Sequence, residues 1–392
     1  MFKGNFTQQE PIPESAIEAA VEVMRSGRLH RYNVAPGEQS ETALLEQEFA
    51  DYMGAKYCLA VASGGYALTA ALKAVGCKDK EPVLTNGFTL SPVPGAITAA
   101  GGDVVLVEIT ENLVIDLDDL EAKIRSSGSR KLMLSHMRGH LADMGRLMSI
   151  CDAHDVVVIE DCAHTMGASW AGVKSGLHGH VSCYSTQTYK HINSGEGGFI
   201  ITDDAEIAAR ATMLSGSYML YGRHLAGPPE NTFADIRLQT PNCSGRMDNL
   251  RAAILRPQLR ELDASVERWN ERYQAIEKEL AGVPGLKLSS RPDAEVYVGS
   301  SIQFLLPDYS ANDVEQFMRR CLDRGVELKW FGEPEPTAYT SRHDSWHYVK
   351  TQTLPETDRI LATLCDMRIP LTFSVEDCRQ IGSIIRECVG QA

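Results

Sequence analysis

Val156-Val-Val-Ile-Glu-Asp161, Val181-Ser-Cys-Tyr-Ser185 and Phe199-Ile-Ile-Thr202 decide the fold. Each is a short apolar run bounded by turn residues, the pattern of a strand buried on both faces. Upstream, similar runs recur at Pro82–Thr85, Asp103–Ile109 and Lys131–His136, separated by helical spacing at 91–100, 117–126 and 143–154. Strand–helix alternation of this kind predicts an α/β fold with a mostly parallel sheet covered on both faces.

Further out, the pattern becomes more helical. Residues 15–26 carry Ile17, Val21 and Met24 on one helical face, with a Ser15/Glu18 capping box at the start and Gly27 as the stop. Residues 41–53 form a second amphipathic helix ended by Gly54. The apolar run from Tyr57 leads into Ser63-Gly64-Gly65 and a helix over Tyr66–Val75. Downstream, 245–281 reads as a long helical run that Pro257 ends or kinks. After Gly282-Val-Pro-Gly285 the chain looks like a smaller α+β unit. Its strands are expected at Tyr297–Leu305 and Val326–Trp330, and its helices at 311–324, 355–364 and 374–389. A boundary within 250–265 divides the chain into 1–260 and 261–392.

Composition bounds the function. The 392 residues allow two or three domains with a large core. Lys and Arg total 38 against 52 Asp and Glu, a net charge of −14 that disfavours a nucleic-acid partner. An acidic total still permits a local anion site built from backbone N–H groups. No apolar run reaches the ~18 residues of a membrane span, and Met1–Pro13 lacks the apolar core of a signal peptide. The ten cysteines form no C-x-x-C pair, which fits free thiols of a cytoplasmic protein and no metal site. Asn5-Phe6-Thr7 matches a glycosylation pattern that carries no weight without a secretory signal.

Three constellations carry chemistry. Asp161 ends a strand, where α/β sheets build their sites, although alone it is as readily a helix cap. Lys190 sits in a loop between two strands, preceded by Ser185-Thr-Gln187 and followed by a Gly195-Glu-Gly-Gly198 cluster that allows close backbone approach. Ser63-Gly64-Gly65 stands between a strand and a helix, where exposed N–H groups can receive an anion. An amine, a carboxylate and a phosphate cup are together the parts that a pyridoxal 5'-phosphate enzyme needs.

From Ser63-Gly64 through Glu160-Asp-Cys-Ala-His164, Ser185-x-Gln-x-x-Lys190, Gly195-Glu-Gly-Gly198 and Arg246-Met-x-x-Leu-x-Ala-Ala253, the order and spacing resemble the DegT/DnrJ/EryC1/StrS family. These are fold-type I, pyridoxal-phosphate-dependent aminotransferases acting chiefly on nucleotide-linked keto-sugars and ketocyclitols. The resemblance runs from about residue 14 to the end of the chain. It implies a seven-stranded, mainly parallel sheet in a large cofactor-binding domain (1–260), and a small α+β domain (261–392). It also implies a homodimer with shared active sites, the commonest oligomer in any case, and small-molecule amino donor and keto acceptor as partners, with L-glutamate the expected donor. Carried over by position, Lys190 is the Schiff-base lysine and Asp161 the carboxylate on the pyridine nitrogen. His164 contacts the ring near its 3-oxygen, Ser185 and Gln187 reach the phosphate, and Ser63, Gly64 and Gly65 form the phosphate turn.

The sequence departs from the family in three places. Gly65 stands where the family has a threonine, so a hydroxyl is missing from the phosphate turn. The stacking aromatic falls at Leu90, leaving either Phe88 to take over or an aliphatic cover. The asparagine that reaches the partner's phosphate falls at Ser244, with Asn242 two residues away. Two other functions stay open: a dehydratase-like relative, in which histidine replaces the lysine that Lys190 retains here, and a non-catalytic sensor of the same fold. For the substrate, Arg31-Tyr32-Asn33 occupies the family's N-terminal substrate loop and resembles members that aminate an acidic eight-carbon sugar. Arg31, Tyr32 and Arg138 are expected to bind substrate, the arginines as a clamp on a carboxylate or phosphate. The Gly-, Pro- and aromatic-rich segment 215–242 is expected to be a substrate loop.

Overall fold

The computed structural model describes residues 1–389. Helices α1 (Glu14–Ser26) and α2 (Glu41–Met53) precede strand β1 (Tyr57–Val61) and helix α3 (Gly64–Ala74). An alternating stretch follows: β2 (Pro82–Asn86), α4 (Pro92–Ala100), β3 (Asp103–Val107), α5 (Leu117–Ser127), β4 (Lys131–Ser135), α6 (Met144–Ala153) and β5 (Val157–Asp161). A small hairpin, β6 (Ser169–Trp170) and β7 (Val173–Lys174), leads to β8 (Val181–Ser185), β9 (Gly198–Thr202) and α7 (Ala205–Ser215).

Seven of these strands form one sheet in the order β1-β9-β8-β5-β4-β2-β3. Only β9 runs antiparallel to its neighbours, β1 and β8; the other pairings are parallel. The fold is therefore the mostly parallel α/β sheet expected, with seven strands. Its strands are buried on both sides because alternate side chains feed two cores. Val83, Met133, Ile159, Cys183 and Ile200 meet α3, α4 and α7 on one face. Leu84, Leu132, Leu134 and Val158 meet α5 and α6 on the other.

Downstream come α8 (Phe233–Gln239), α9 (Asn249–Arg260) and α10 (Leu262–Leu280), then β10 (Lys287–Leu288), β11 (Glu295–Val296), β12 (Ser301–Leu305) and α11 (Ala311–Asp323). The last elements are β13 (Lys329–Trp330), α12 (Pro355–Leu361), β14 (Leu364–Arg368) and α13 (Val375–Val389). A four-stranded sheet, β10-β12-β14-β13, packs with α10, α11 and α13 around Phe304, Phe317, Ile276 and Ile381. Phe2 and Phe6 from the start of the chain enter this same core.

Several expectations change. The α1 cap is Pro13 with no side-chain bond, so the Ser15/Glu18 box does not form. The helix packs on α9 through Ala16, Ala20 and Val23, whose small side chains allow close approach, and leaves Ile17 and Met24 exposed. Helix α9 continues through Pro257 to Arg260, and the break before α10 falls at Glu261. Helix α12 stops at Leu361, and β14, which the sequence reading did not separate from it, begins three residues later.

Candidate active site

The carboxyl ends of β4, β5 and β8 and the start of α3 surround a cavity of 290 Å³. Parallel sheets put sites here because side chains beyond the strand ends are free of the ladder. Ser63, Gly64, Gly65, Leu90, Asp161, His164, Ser185, Gln187 and Lys190 line it, nine of the positions singled out in the sequence.

Asp161 is the last residue of β5, paired in register with Ser135 of β4 and Cys183 of β8. Its Oδ2 accepts from Ser135 Oγ at 3.2 Å and its Oδ1 from the Ala163 N–H at 3.1 Å. Ser135 Oγ in turn accepts from Thr89 Oγ1 at 2.8 Å, and Asn86 brackets the Ser135 backbone with two further bonds. The carboxylate is thus aimed by a buried hydroxyl chain. Burial pushes its pKa up, opposed mainly by the charge of Lys190. Sequence reasoning missed Thr89 and Ser135, whose neutral side chains carry no motif.

Lys190 lies on the loop joining β8 to β9. Backbone bonds close that loop, from Thr186 N–H to Gly197 O at 2.9 Å and from Ser194 N–H to Thr186 O at 3.0 Å. The Lys190 amine and His164 Nε2 share a hydrogen bond of 2.9 Å. Burial lowers the Lys190 pKa to about 7, with Arg138, Arg368 and Lys329 adding to the effect and Asp161 opposing it. Burial and the Lys190 charge also hold His164 well below the ordinary histidine range.

Ser63 caps α3, its Oγ accepting from the Tyr66 N–H at 3.1 Å. A Cβ on Gly64 would lie 2.8 Å from Ser185 Cβ, so glycine is what lets the turn close against β8. A Cβ on Gly65 would meet nothing within 4 Å. Ser185 Oγ accepts from the Gln187 N–H, and Gln187 Oε1 accepts from the Tyr189 N–H at 2.9 Å, which shapes the lysine loop.

The other expected positions lie elsewhere. Phe88 is buried edge-on against Phe331 with ring centres 4.9 Å apart and does not line the cavity; Leu90 does, so the covering side chain is aliphatic. Arg31 is 2% exposed and forms a two-pronged pair with Glu46, both bonds 2.8 Å, beside His224. Tyr32 OH lies 2.8 Å from His224 Nε2. Arg31 ties the N-terminal segment to Glu46 of α2 and Tyr32 ties it to His224, and both are buried away from the cavity. Asn242 and Ser244 are exposed and bond to each other, Asn242 Oδ1 accepting from the Ser244 N–H at 2.9 Å. Segment 215–242 does not line the cavity; it holds α8, whose Phe233 stacks on Tyr221 and packs against Met213 of α7. Arg138 remains near the site, on a second wall beside Lys190 together with Arg368 of β14, which sequence reasoning did not single out.

The residues fit the cofactor the sequence points to. A half-buried amine, a buried carboxylate with no full counter-charge at hydrogen-bond distance, and a turn whose Gly64 leaves no room for a side chain all face one cavity. Buried Glu160 is different: His136, Gly176, His178 and Gly179 supply it with four hydrogen bonds, so the cluster it forms with His136 and Cys162 reads as structural.

Comparison with known proteins gives the same direction. The model of the DegT/DnrJ/EryC1/StrS aminotransferase family matches residues 11–386. The chain is 33% identical to L-glutamine:2-deoxy-scyllo-inosose aminotransferase of Streptomyces fradiae, over 72% of this chain and 66% of that protein. It is 30% identical to GDP-perosamine synthase of Vibrio cholerae, over 61% of this chain and 62% of that one. The matched region thus spans somewhat under two thirds of each of these relatives. Among solved structures, the sugar aminotransferase CalS13 of Micromonospora echinospora superposes with a TM-score of 0.83 at 24% identity, covering 97% of this chain and 99% of that one, a likeness of fold.

Proposed function

The chain belongs to the DegT/DnrJ/EryC1/StrS aminotransferase family, and on that premise we propose that it is a pyridoxal-phosphate-dependent aminotransferase acting on a keto-sugar or ketocyclitol. The donor is L-glutamine or L-glutamate; the relatives named for L-glutamine add the first to the expectation from sequence. When bound, the cofactor supplies an aldehyde that receives the amino group and a ring that delocalises electrons released at the substrate carbon.

This chain's residues supply the rest. Lys190, half neutral near pH 7, is able to attack an aldehyde and to carry a proton between carbon atoms. His164 shares a hydrogen bond with the lysine while staying neutral, so it orients the amine without adding charge. Asp161 holds a proton on the ring nitrogen, and the Thr89–Ser135 chain fixes its direction. Ser63, the N–H groups of Gly64 and Gly65, and Ser185 receive the phosphate at the start of α3. Leu90 covers the site on the side where an aromatic was expected.

The observation that carries this reading is the convergence of Lys190, His164 and Asp161 on one cavity that also faces the α3 N-terminus. The test is to add pyridoxal phosphate and follow the visible absorbance, bleach it with L-glutamine, and restore it with keto-inosose, a nucleotide keto-sugar or an acidic keto-sugar. A band that no amino acid bleaches would reject the reading.

A homodimer is supported by the exposed Ile17, Met24 and Leu29 and by exposed Asn242 and Ser244, which are free to reach a second copy. The division at 260/261 is supported by the seven-stranded and four-stranded sheets, which fall on either side of it, while a small third sheet, β11-β6-β7, joins the two parts. All ten cysteines are free, which supports a cytoplasmic setting. Among the described residues no helix is long and apolar enough to cross a membrane.

A further inference from the structure

Beside Lys190 opens a second, smaller cavity of 60 Å³, walled by Arg138, Tyr189, Ser301, Tyr339 and Arg368. Resting on the aminotransferase reading, we propose that Arg138 and Arg368 together seat a carboxylate of the substrate there, in the first place the α-carboxylate of the amino-acid donor.

Arg138 is 7% exposed, yet its Nε and Nη2 have no hydrogen-bond partner. Asp366 lies 2.9 Å from Nη2 and offers charge, but the alignment makes no hydrogen bond, and Asp366 Oδ2 is equally unpartnered. Buried polar atoms are rarely left so, and the cost falls away once an acceptor enters. The backbone of Arg138 also adopts φ +56° inside a short turn, a conformation costly for a non-glycine residue. That turn places the guanidinium against the cavity.

Arg368 comes from β14, 230 residues away in sequence (368 − 138), and its guanidinium lies 3.6 Å over the Tyr189 ring. Among the described residues no carboxylate stands within ion-pair distance of Arg368 or of nearby Lys329. The pKa of Lys329 is lowered to about 8, first by burial and then, against the pull of Asp366, by Arg138 and Arg368. Three cations thus gather around one buried aspartate. An anion entering between the arginines relieves that repulsion, and the planar guanidinium fork matches a carboxylate.

The donor's chemistry explains the position. Its carboxylate is attached to the carbon that bears the reacting amine, so it must settle within a few bond lengths of Lys190. The small cavity includes Lys190 in its wall and holds on the order of two water volumes. The phosphate turn at Ser63–Gly65 belongs only to the larger cavity.

The test uses glutarate, which carries carboxylates but neither amine nor ketone, with glutaramide as the uncharged control, titrated calorimetrically into the cofactor-loaded protein. Wild type should bind glutarate and not glutaramide. Arg368→Met should bind glutarate about 10–100-fold more weakly, the range for losing a charge-assisted hydrogen bond. Arg138→Met strands Asp366 in the core, so that position is tested as Arg138→Met with Asp366→Asn, with the same loss expected. Binding unchanged in Arg368→Met, or wild type that fails to prefer glutarate, overturns the proposal. Steady-state kinetics of Arg368→Met assign the source. A rise in KM for L-glutamine with kcat nearly kept identifies the donor's carboxylate. A rise confined to KM for an acidic keto-sugar identifies the acceptor's carboxylate instead. Both KM values unchanged reject the seat. If wild type binds glutarate but no amino acid bleaches the cofactor, the aminotransferase reading fails and the seat stands.

Discussion

The amine of Lys190 lies 2.9 Å from Nε2 of His164. Within this pair only the lysine changes charge near neutrality, because His164 titrates far lower.

From this follows a pH dependence. In the cofactor-free protein, the rate at which Lys190 reacts with an aldehyde reagent should rise with an apparent pKa of about 7, against an ordinary lysine value of 10.5. Between those two values the unfolded chain binds more protons than the folded one, so this residue's contribution to stability rises with pH across that window. Below about pH 7 the cost of the buried charge is fully present. Lys190→Met should therefore melt above cofactor-free wild type by several degrees at pH 6, with the gap closing toward pH 10, and should show no turnover. A gap that widens with pH would contradict the sign.

Asp161→Asn keeps the shape and the bond from the Ala163 N–H while removing the charge. Turnover should fall at least about 10²-fold, the scale of losing one preorganised electrostatic contact. The melting temperature should hold or rise, since a buried carboxylate has been removed. If Asp161 were only a cap before His164, the variant would instead lose about 1 kcal/mol of stability and keep its turnover per folded molecule. Calorimetry and single-turnover rates on one preparation separate these outcomes.

Gly64 and Gly65 should respond oppositely. Gly65→Thr meets no neighbour and replaces a helix glycine, so it should gain up to about 0.5 kcal/mol and tighten pyridoxal phosphate binding several-fold by adding a hydroxyl. Gly64→Ala drives a methyl into Ser185 and should weaken cofactor binding at least tenfold. Equilibrium titration of the cofactor by absorbance reads both.

Arg31 and Glu46 should matter for stability alone. Breaking this pair with Arg31→Leu should cost about 3–5 kcal/mol, because Glu46 is left charged and buried. Activity per folded molecule should be unchanged. Burial pushes the Glu46 pKa up, but Arg31 and His224 outweigh it and bring it down to about 2 from 4.5. Its stabilisation is therefore complete above about pH 4.5 and lost as pH falls toward 2. Acid-unfolding curves of wild type and Glu46→Gln should diverge most above that window and converge below it.

The strands of the large sheet were legible because each is a bounded apolar run between helical stretches. β14 was not: in Pro355–Arg368 no glycine or internal proline marks the turn at Ala362–Thr363, so helix and strand run together. The two-residue strands are too short for any periodicity. The exposed face of α1 was misread because Ile17, Val21 and Met24 outrank Ala16 and Ala20 in hydrophobicity, while the packing against α9 favours small side chains. In the site, Asp161 and Lys190 stood out because strand ends and glycine-flanked loops have local signatures. Arg31 reads as a ligand from sequence because the sequence shows a guanidinium but not which carboxylate the fold brings to it. Arg368 stayed unseen for the complementary reason: only the second sheet carries it to Lys190.

The antiparallel strand β9 has a consequence for motion. Because β8 and β9 are sheet neighbours, the loop bearing Lys190 is tethered at both ends to interior strands of the seven-stranded sheet. Freeing the amine by local opening requires unzipping that ladder, so amide hydrogen exchange at Thr186 and Ser194 should track the global unfolding of the sheet and not the fraying expected of a surface loop.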